Sequence, residues 1–225
     1  TGAPLAFAVM RSAGAVRIFD TGNDREVSRI SVGEDPIQIV SSLDGNRVFV
    51  ADLTASQVVV VERATFRVIA RIPVATAPLD MTISADGTTL YVTNSDVGRL
   101  TAIDTQELAV VASWIISEST AGPYGVTTGA SGHIYVTDLR ADEVIIFDAG
   151  RVVDRLQGPT SPRALSRSGD GATIYVSSFN SGLLGKVDDE TRAVSIVDLG
   201  VQGTFAVLAH PTRDLLFLTA HLDGL

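Results

Sequence analysis

The sequence predicts an all-β fold, a β-propeller of four-stranded antiparallel blades on a repeat of about 42 residues. Four recurring columns of residues carry that prediction. An aromatic recurs at Phe7, Phe49, Tyr91, Tyr135, Tyr175 and Phe217, at intervals of 42, 42, 44, 40 and 42. An acid closes the next apolar string at Asp20, Glu62, Asp104, Asp148 and Asp188, on the same beat. Prolines recur at Pro36, Pro78, Pro123 and Pro162, and a turn pair precedes the aromatic string as Asp44-Gly45, Asp86-Gly87, Ser131-Gly132 and Asp170-Gly171.

Each element of the repeat has a local cause. In the unit beginning at Pro78, the first strand is Leu79–Ser84, the second Leu90–Asn94, the third Leu100–Asp104 and the fourth Leu108–Ile115. These are short runs rich in Val, Ile, Thr and aromatics, bounded by Gly, Asp, Asn or Pro, which is the strand-and-hairpin pattern. No stretch carries a sustained helical stripe. The prolines stand where a strand begins, so the missing N–H costs no ladder bond. The Asp-Gly pairs supply the positive φ of tight hairpins. One four-stranded blade cannot bury both apolar faces alone, and stacked blades bury them against each other. The aromatic column is expected to fill the space between blades.

Composition narrows the functional classes. The chain has 225 residues, 45% of them hydrophobic and 19% charged, which is a globular composition. Its 17 basic and 26 acidic residues give a net charge of -9, against nucleic-acid binding, which needs a basic face. There is no cysteine, so disulfides, thiolate metal sites and covalent haem attachment are excluded within these residues. The longest apolar stretch, Leu108–Ile116, is interrupted by Ser113 and falls short of the roughly 20 residues of a membrane-spanning helix. Thr1-Gly2-Ala3-Pro4 does not read as a signal peptide.

The repeat strings resemble the YVTN family of propeller repeats. Leu90-Tyr91-Val92-Thr93-Asn94 contains the naming string unchanged, with Ser84-Ala85-Asp86-Gly87 before it and Ile103-Asp104-Thr105 after it. Ile30-Ser31-Val32-Gly33-Glu34-Asp35-Pro36 resembles the family's lead into the next blade. Departures are the insertion at Ser117–Gly122, Gly203-Thr204 in place of a fifth proline, and Glu62 in place of an aspartate. The resemblance implies a bacterial or archaeal, often exported protein, hence an extracytoplasmic (periplasmic or secreted) location. It also implies a binding or surface module, with some relatives serving as subunits of redox enzymes.

We expect one propeller domain over residues 1–225, with blade repeats near 5–35, 36–77, 78–122, 123–161 and 162–202 and a partial repeat at 203–225. About five blades are present. The chain opens and stops within a repeat, and 221–225 read as a loop heading into another strand. The preferred expectation is therefore a fragment of a six- or seven-bladed ring; a closed five-bladed ring is the alternative.

Chemistry is sought on the loops of one face. The loops after the aromatic strand hold Arg11, Asp52, Asn94, Asp96, Asp138, Arg140, Phe179, Asn180 and His221, a mixed polar ring suited to a small polar ligand or a partner protein's loop. The competing expectation is ordinary turn chemistry, with Asn and Asp satisfying their own loop backbone. His133 and His210 fall in hairpin turns away from His221, so no histidine cluster converges on a metal. Asp138/Asp142 is a weak Ca²⁺ candidate, and Asp188-Asp189-Glu190 is expected to be a solvated turn. No nucleophile elbow or phosphate loop is found. We therefore expect no catalytic residues, no metal and no cofactor. The expected function is a non-enzymatic scaffold binding a protein or small polar ligand. The alternative is a propeller enzyme or enzyme subunit, either a lactonase-like metal-dependent hydrolase or the propeller subunit of a quinone- or haem-dependent dehydrogenase.

Overall fold

The structure, a computed structural model, describes residues 4–118 and 122–221. Strands β1 (Leu5–Met10), β2 (Ala15–Asp20) and β3 (Arg25–Ser31) make a three-stranded sheet. Four-stranded sheets follow: β4 (Pro36–Ser41), β5 (Arg47–Asp52), β6 (Gln57–Glu62) and β7 (Arg67–Pro73); then β8 (Pro78–Ile83), β9 (Thr89–Asn94), β10 (Arg99–Asp104) and β11 (Ala109–Ile115). The next two are β12 (Pro123–Thr128), β13 (Ile134–Asp138), β14 (Glu143–Asp148) and β15 (Arg151–Gln157), and β16 (Pro162–Arg167), β17 (Thr173–Ser178), β18 (Leu183–Asp188) and β19 (Val194–Asp198). The last described sheet is the pair β20 (Gln202–Ala209) and β21 (Leu216–His221). Each strand pairs with its sequence neighbour, as short hairpins dictate.

The strings predicted as strands are strands, and the Asp-Gly pairs make the turns. Gly45, Gly87, Gly132 and Gly171 all have positive φ. In the first of these turns Ser42 Oγ and the Asn46 amide donate to Asp44, which brings that carboxyl down to about 2.

The chain divides into two compact units, one holding the described residues through Val92 with Thr101–Ala112, the other Thr93–Leu100 with Ser113 onward. In the first, Phe49, Val58, Val60, Met81, Leu90 and Ile103 form one buried cluster, and Val16, Ile18, Val48, Val50 and Val59 another. In the second, Tyr135, Val144, Ile146, Ile174, Val176 and Val187 pack together. Middle strands are buried on both faces: Val58, Val59, Val60 and Val61 are consecutive and all buried. This is why these strands read as continuous apolar runs rather than alternating ones.

Two expectations about side chains are corrected. The aromatic column is not uniformly interior: Phe49 and Tyr135 are fully buried, but Phe217 is 52% exposed, in a sheet of two described strands. Asp189 is not a solvated turn residue. It is buried and accepts hydrogen bonds from the Ser131 amide (2.6 Å), Ser131 Oγ (2.8 Å) and Tyr135 Oη (2.8 Å). Burial and the Asp189 carboxylate together push the Tyr135 phenol upward. Ser131 stands where the other hairpins carry Asp, and the acid from the next sheet takes over as the turn's acceptor.

Candidate functional site

The second strand of each four-stranded sheet ends in a polar residue: Asp52, Asn94, Asp138 and Ser178. The first three are expected from the sequence in solvent-facing loops. The structure buries all four completely. The Asp52 carboxylate accepts from the Glu34 and Asp35 amides (3.2 and 3.0 Å) and from Gln57 Nε2 (3.0 Å). Burial raises the Asp52 carboxyl, but hydrogen bonds from Asp35, Gln57, Glu34 and Ala55 outweigh it and hold the group below its ordinary value. Gly33 is required here, because a Cβ on it would stand 1.8 Å from Asp52 Oδ2. Asp138 accepts from Ser117 Oγ and from the Arg140 and Ala141 amides. Ser178 Oγ donates to the Thr160 carbonyl. Asp52, Asp138 and Ser178 thus clasp the loop ahead of the proline to the strand end. The expectation that this column is exposed is corrected, because a strand end packed under a loop must satisfy that loop's amides.

The other expected site residues are distributed. Arg11 is exposed and bound to Asp35 by two 2.7 Å hydrogen bonds, which hold the Asp35 carboxyl below its ordinary value. Asp96 is exposed in the short 3₁₀ turn Ser95–Val97, and Arg140 is exposed in the turn after β13. Asp142 Oδ1 accepts from the Ser161 amide. The side chain of His221 and all of residues 222–225 lie outside the described residues, as does the 119–121 part of the insertion. Among the described residues no three His, Cys, Asp or Glu side chains come together as a metal site.

Phe179 and Asn180 are brought together, and with them residues that the sequence did not single out as a site. They line a hollow of about 290 Å³ with Gln202, Gly203 and Phe205. Gly203 has φ +58°, and a Cβ on it would meet the Phe179 carbonyl oxygen at 2.5 Å, so glycine is what lets the two backbones approach this closely beside the hollow. Beside the hollow stands Arg163. Its guanidinium carbon lies 5.0 Å from the Tyr124 ring centre, 4.9 Å from Phe179 and 5.0 Å from Phe205. Phe179 and Phe205 meet edge to face at 5.1 Å.

Local backbone irregularity aims these side chains. The register of β12 against β13 slips between Pro123 and Val126, and that of β16 against β17 between Pro162 and Leu165. Tyr124 and Arg163 therefore sit in bulges just inside the proline, and bulges re-aim side chains. Hydroxyls pin these bulges: Thr93 Oγ1 donates to the Tyr124 carbonyl and Thr137 Oγ1 to the Arg163 carbonyl, each at 2.7 Å. The Gly125 amide donates to Thr137 Oγ1 (2.8 Å), and the Ala164 amide to Ser177 Oγ (3.0 Å). The threonine of the repeat string thus has a physical task. It fixes the first residues of the next sheet.

Arg163 is incompletely satisfied. Nη2 donates to Tyr124 Oη (2.8 Å), whereas Nη1 is buried with no hydrogen-bond partner among the described residues. Arg163 belongs to none of the ion pairs among those residues. Three ring faces supply electrostatic attraction in place of an acid.

No protein-family profile matches the chain, and no curated protein matches it in sequence. Solved structures do match in shape. Hydrazine synthase from Kuenenia stuttgartiensis superposes with a TM-score of 0.84 at 20% identity, over 95% of this chain and 70% of that one. A streptogramin B lyase gives 0.84 at 13% identity, over 95% and 72%. NirN, a dihydro-heme d1 dehydrogenase, gives 0.74 at 18% identity, over 89% and 45%. Identities this low speak to fold alone, and with the succession of antiparallel sheets they give this chain the β-propeller fold.

Proposed function

We propose that the chain is a binding platform that takes a small polar ligand, or a loop of a partner protein, into the hollow between Phe179, Asn180, Gln202 and Phe205. The observation that carries this reading is Arg163, held in an aromatic surround with Nη1 unused, next to a hollow that two of the same rings line. A buried donor without an acceptor is costly, and among the described residues no other buried side-chain polar atom lacks a partner, so a site that retains one supports recognition. Asn180 and Gln202 add amide groups at the rim, able to donate and accept. The YVTN-like string supports an exported repeat protein, which cell fractionation of the native protein tests.

The platform reading is tested by ligand-observed NMR of the chain against a library of small polar molecules. At least one saturable ligand is expected, weakened about tenfold or more by Asn180→Ala with Gln202→Ala, while the melting temperature stays within a few degrees. Absence of any saturable ligand, or indifference to the double substitution, counts against the reading. A second reading, a propeller enzyme or enzyme subunit, is favoured by neighbours named as a synthase, a lyase and a dehydrogenase. A ligand of this site that is turned over rather than released would support it.

A further inference from the structure

The reading above leaves open what kind of ligand the hollow takes, and the inference here rests on that reading. Arg163 has five N–H donors and can be satisfied only by acceptors. Within the chain one of them reaches Tyr124 Oη, Nη1 reaches no acceptor, and no Asp or Glu neutralises the charge among the described residues. A half-buried guanidinium in that state favours an acceptor with two oxygens in one plane, because its paired N–H groups match a carboxylate.

The wall between guanidinium and hollow is aromatic. Phe179 and Phe205 each face Arg163 and also line the hollow. Phe179 is the more exposed of the two: it begins the turn after β17 and is 37% exposed, and turning it gives up its edge contact with Phe205 and its place over the guanidinium. The hollow, about 290 Å³, is open to solvent, so a ligand lies against its walls rather than being enclosed. Its sides are rings and its rim is amide, which suits a flat body better than a sugar or a bare phosphate.

We infer that the hollow is a binding site for a flat aromatic or heteroaromatic carboxylate, whose ring lies against Phe205 and whose acid group pairs with Arg163 Nη1 once Phe179 turns from the guanidinium onto the ligand. Asn180 and Gln202 then meet polar groups on the ligand's outer edge. Tyr124 keeps Nη2 in place, and the Thr137 bond to the Arg163 carbonyl holds the residue from behind.

The test uses the whole chain and three probes: indole-3-carboxylate, its neutral carboxamide, and cyclohexanecarboxylate. Isothermal titration or ligand-observed NMR gives each affinity at low and high salt. The expected result is that the aromatic acid binds at least tenfold more tightly than the amide and than the non-aromatic acid, and that salt weakens the acid but not the amide. Arg163→Gln should abolish the preference for the acid, and Arg163→Lys should retain part of it. Should Arg163→Gln disturb the fold, the acid-to-amide ratio on the unaltered chain still decides. Equal affinity for acid and amide overturns the inference. So does failure of all three probes while a neutral library ligand is lost with Asn180→Ala and Gln202→Ala, and that result leaves the platform reading standing. If the library also yields nothing, both fail.

Discussion

Asp52 and Arg163 are both charges drawn back from water, and the chain treats them differently. Asp52 ends β5 fully buried, and its two oxygens meet two loop amides, the Gln57 amide group and the backbone of Ala55. Arg163 sits in a bulge three sheets later in the chain, with one hydrogen bond to a phenol, three ring faces and an idle Nη1. A charge whose every lone pair is matched by its own chain holds that chain together. A charge that its own chain leaves half-matched is available to something else. The difference separates two kinds of residue that look alike on a loop in sequence: clasps and recognition groups.

The largest expected effect is therefore at the clasp. Asp52→Ala strands the Glu34 and Asp35 amides and leaves Gln57 without its acceptor. Losing several bonds to a charged acceptor should cost about 3 kcal/mol, read from urea unfolding midpoints at constant slope. A cost below about 1 kcal/mol would mean that water replaces the carboxylate freely, and the distinction between clasp and recognition group would collapse.

Acid should attack the same place. The Asp52 carboxyl lies below its ordinary value in the folded chain and returns to about 3.9 on unfolding. The unfolded state thus binds the proton more readily, so stability from this group is fully present above about pH 4 and is lost as pH falls through the folded value. Asp44, held at about 2 in its exposed turn, acts in the same direction. Denaturant midpoints followed from pH 6 down to pH 2 should fall, and the fall should be shallower in Asp52→Asn. An identical slope in the variant assigns the acid sensitivity to other carboxylates.

How much of this was legible depends on what a residue's neighbours are. The strands and turns were readable because their causes are local: the apolar runs, Pro78 or Pro123 at a strand start, Asp-Gly at a hairpin. The burial of Asp52 and Asp138 was not, since a strand-ending Asp reads as a loop residue until the loop that folds over it is known. Asp189 failed for the same reason, with its partners Ser131 and Tyr135 more than fifty residues away. Phe179 and Asn180 stand out as loop residues, but nothing in the sequence marks Arg163 or Phe205 as part of a site. Their meeting depends on two bulges that no local pattern encodes, although the threonine recurring at 93 and 137 was a clue to what pins them.

That threonine gives a smaller prediction. Thr137→Val keeps the shape and removes the hydroxyl that donates to the Arg163 carbonyl and accepts from the Gly125 amide. A loss of about 1–2 kcal/mol is expected. If Arg163 is held from behind by this bond, the same change should also weaken aromatic-acid binding, although Thr137 touches no ligand. Lost stability with unchanged binding would confine Thr137 to the fold.

The smallest effect on stability belongs to the residue proposed to matter most for binding. Arg163→Met keeps a long stem among Tyr124, Phe179 and Phe205 and removes a charge that has no acid partner among the described residues. Breaking a satisfied buried ion is expensive, but replacing an incompletely satisfied one by an apolar side chain of similar length is often neutral or stabilising. Methionine also makes favourable sulfur contacts with rings. The unfolding free energy should therefore stay within about 1 kcal/mol of the parent, or rise. A loss approaching that of Asp52→Ala would show that the three rings and the phenol already satisfy Arg163, making it a clasp of another kind and leaving no unmet bond for a ligand to fill.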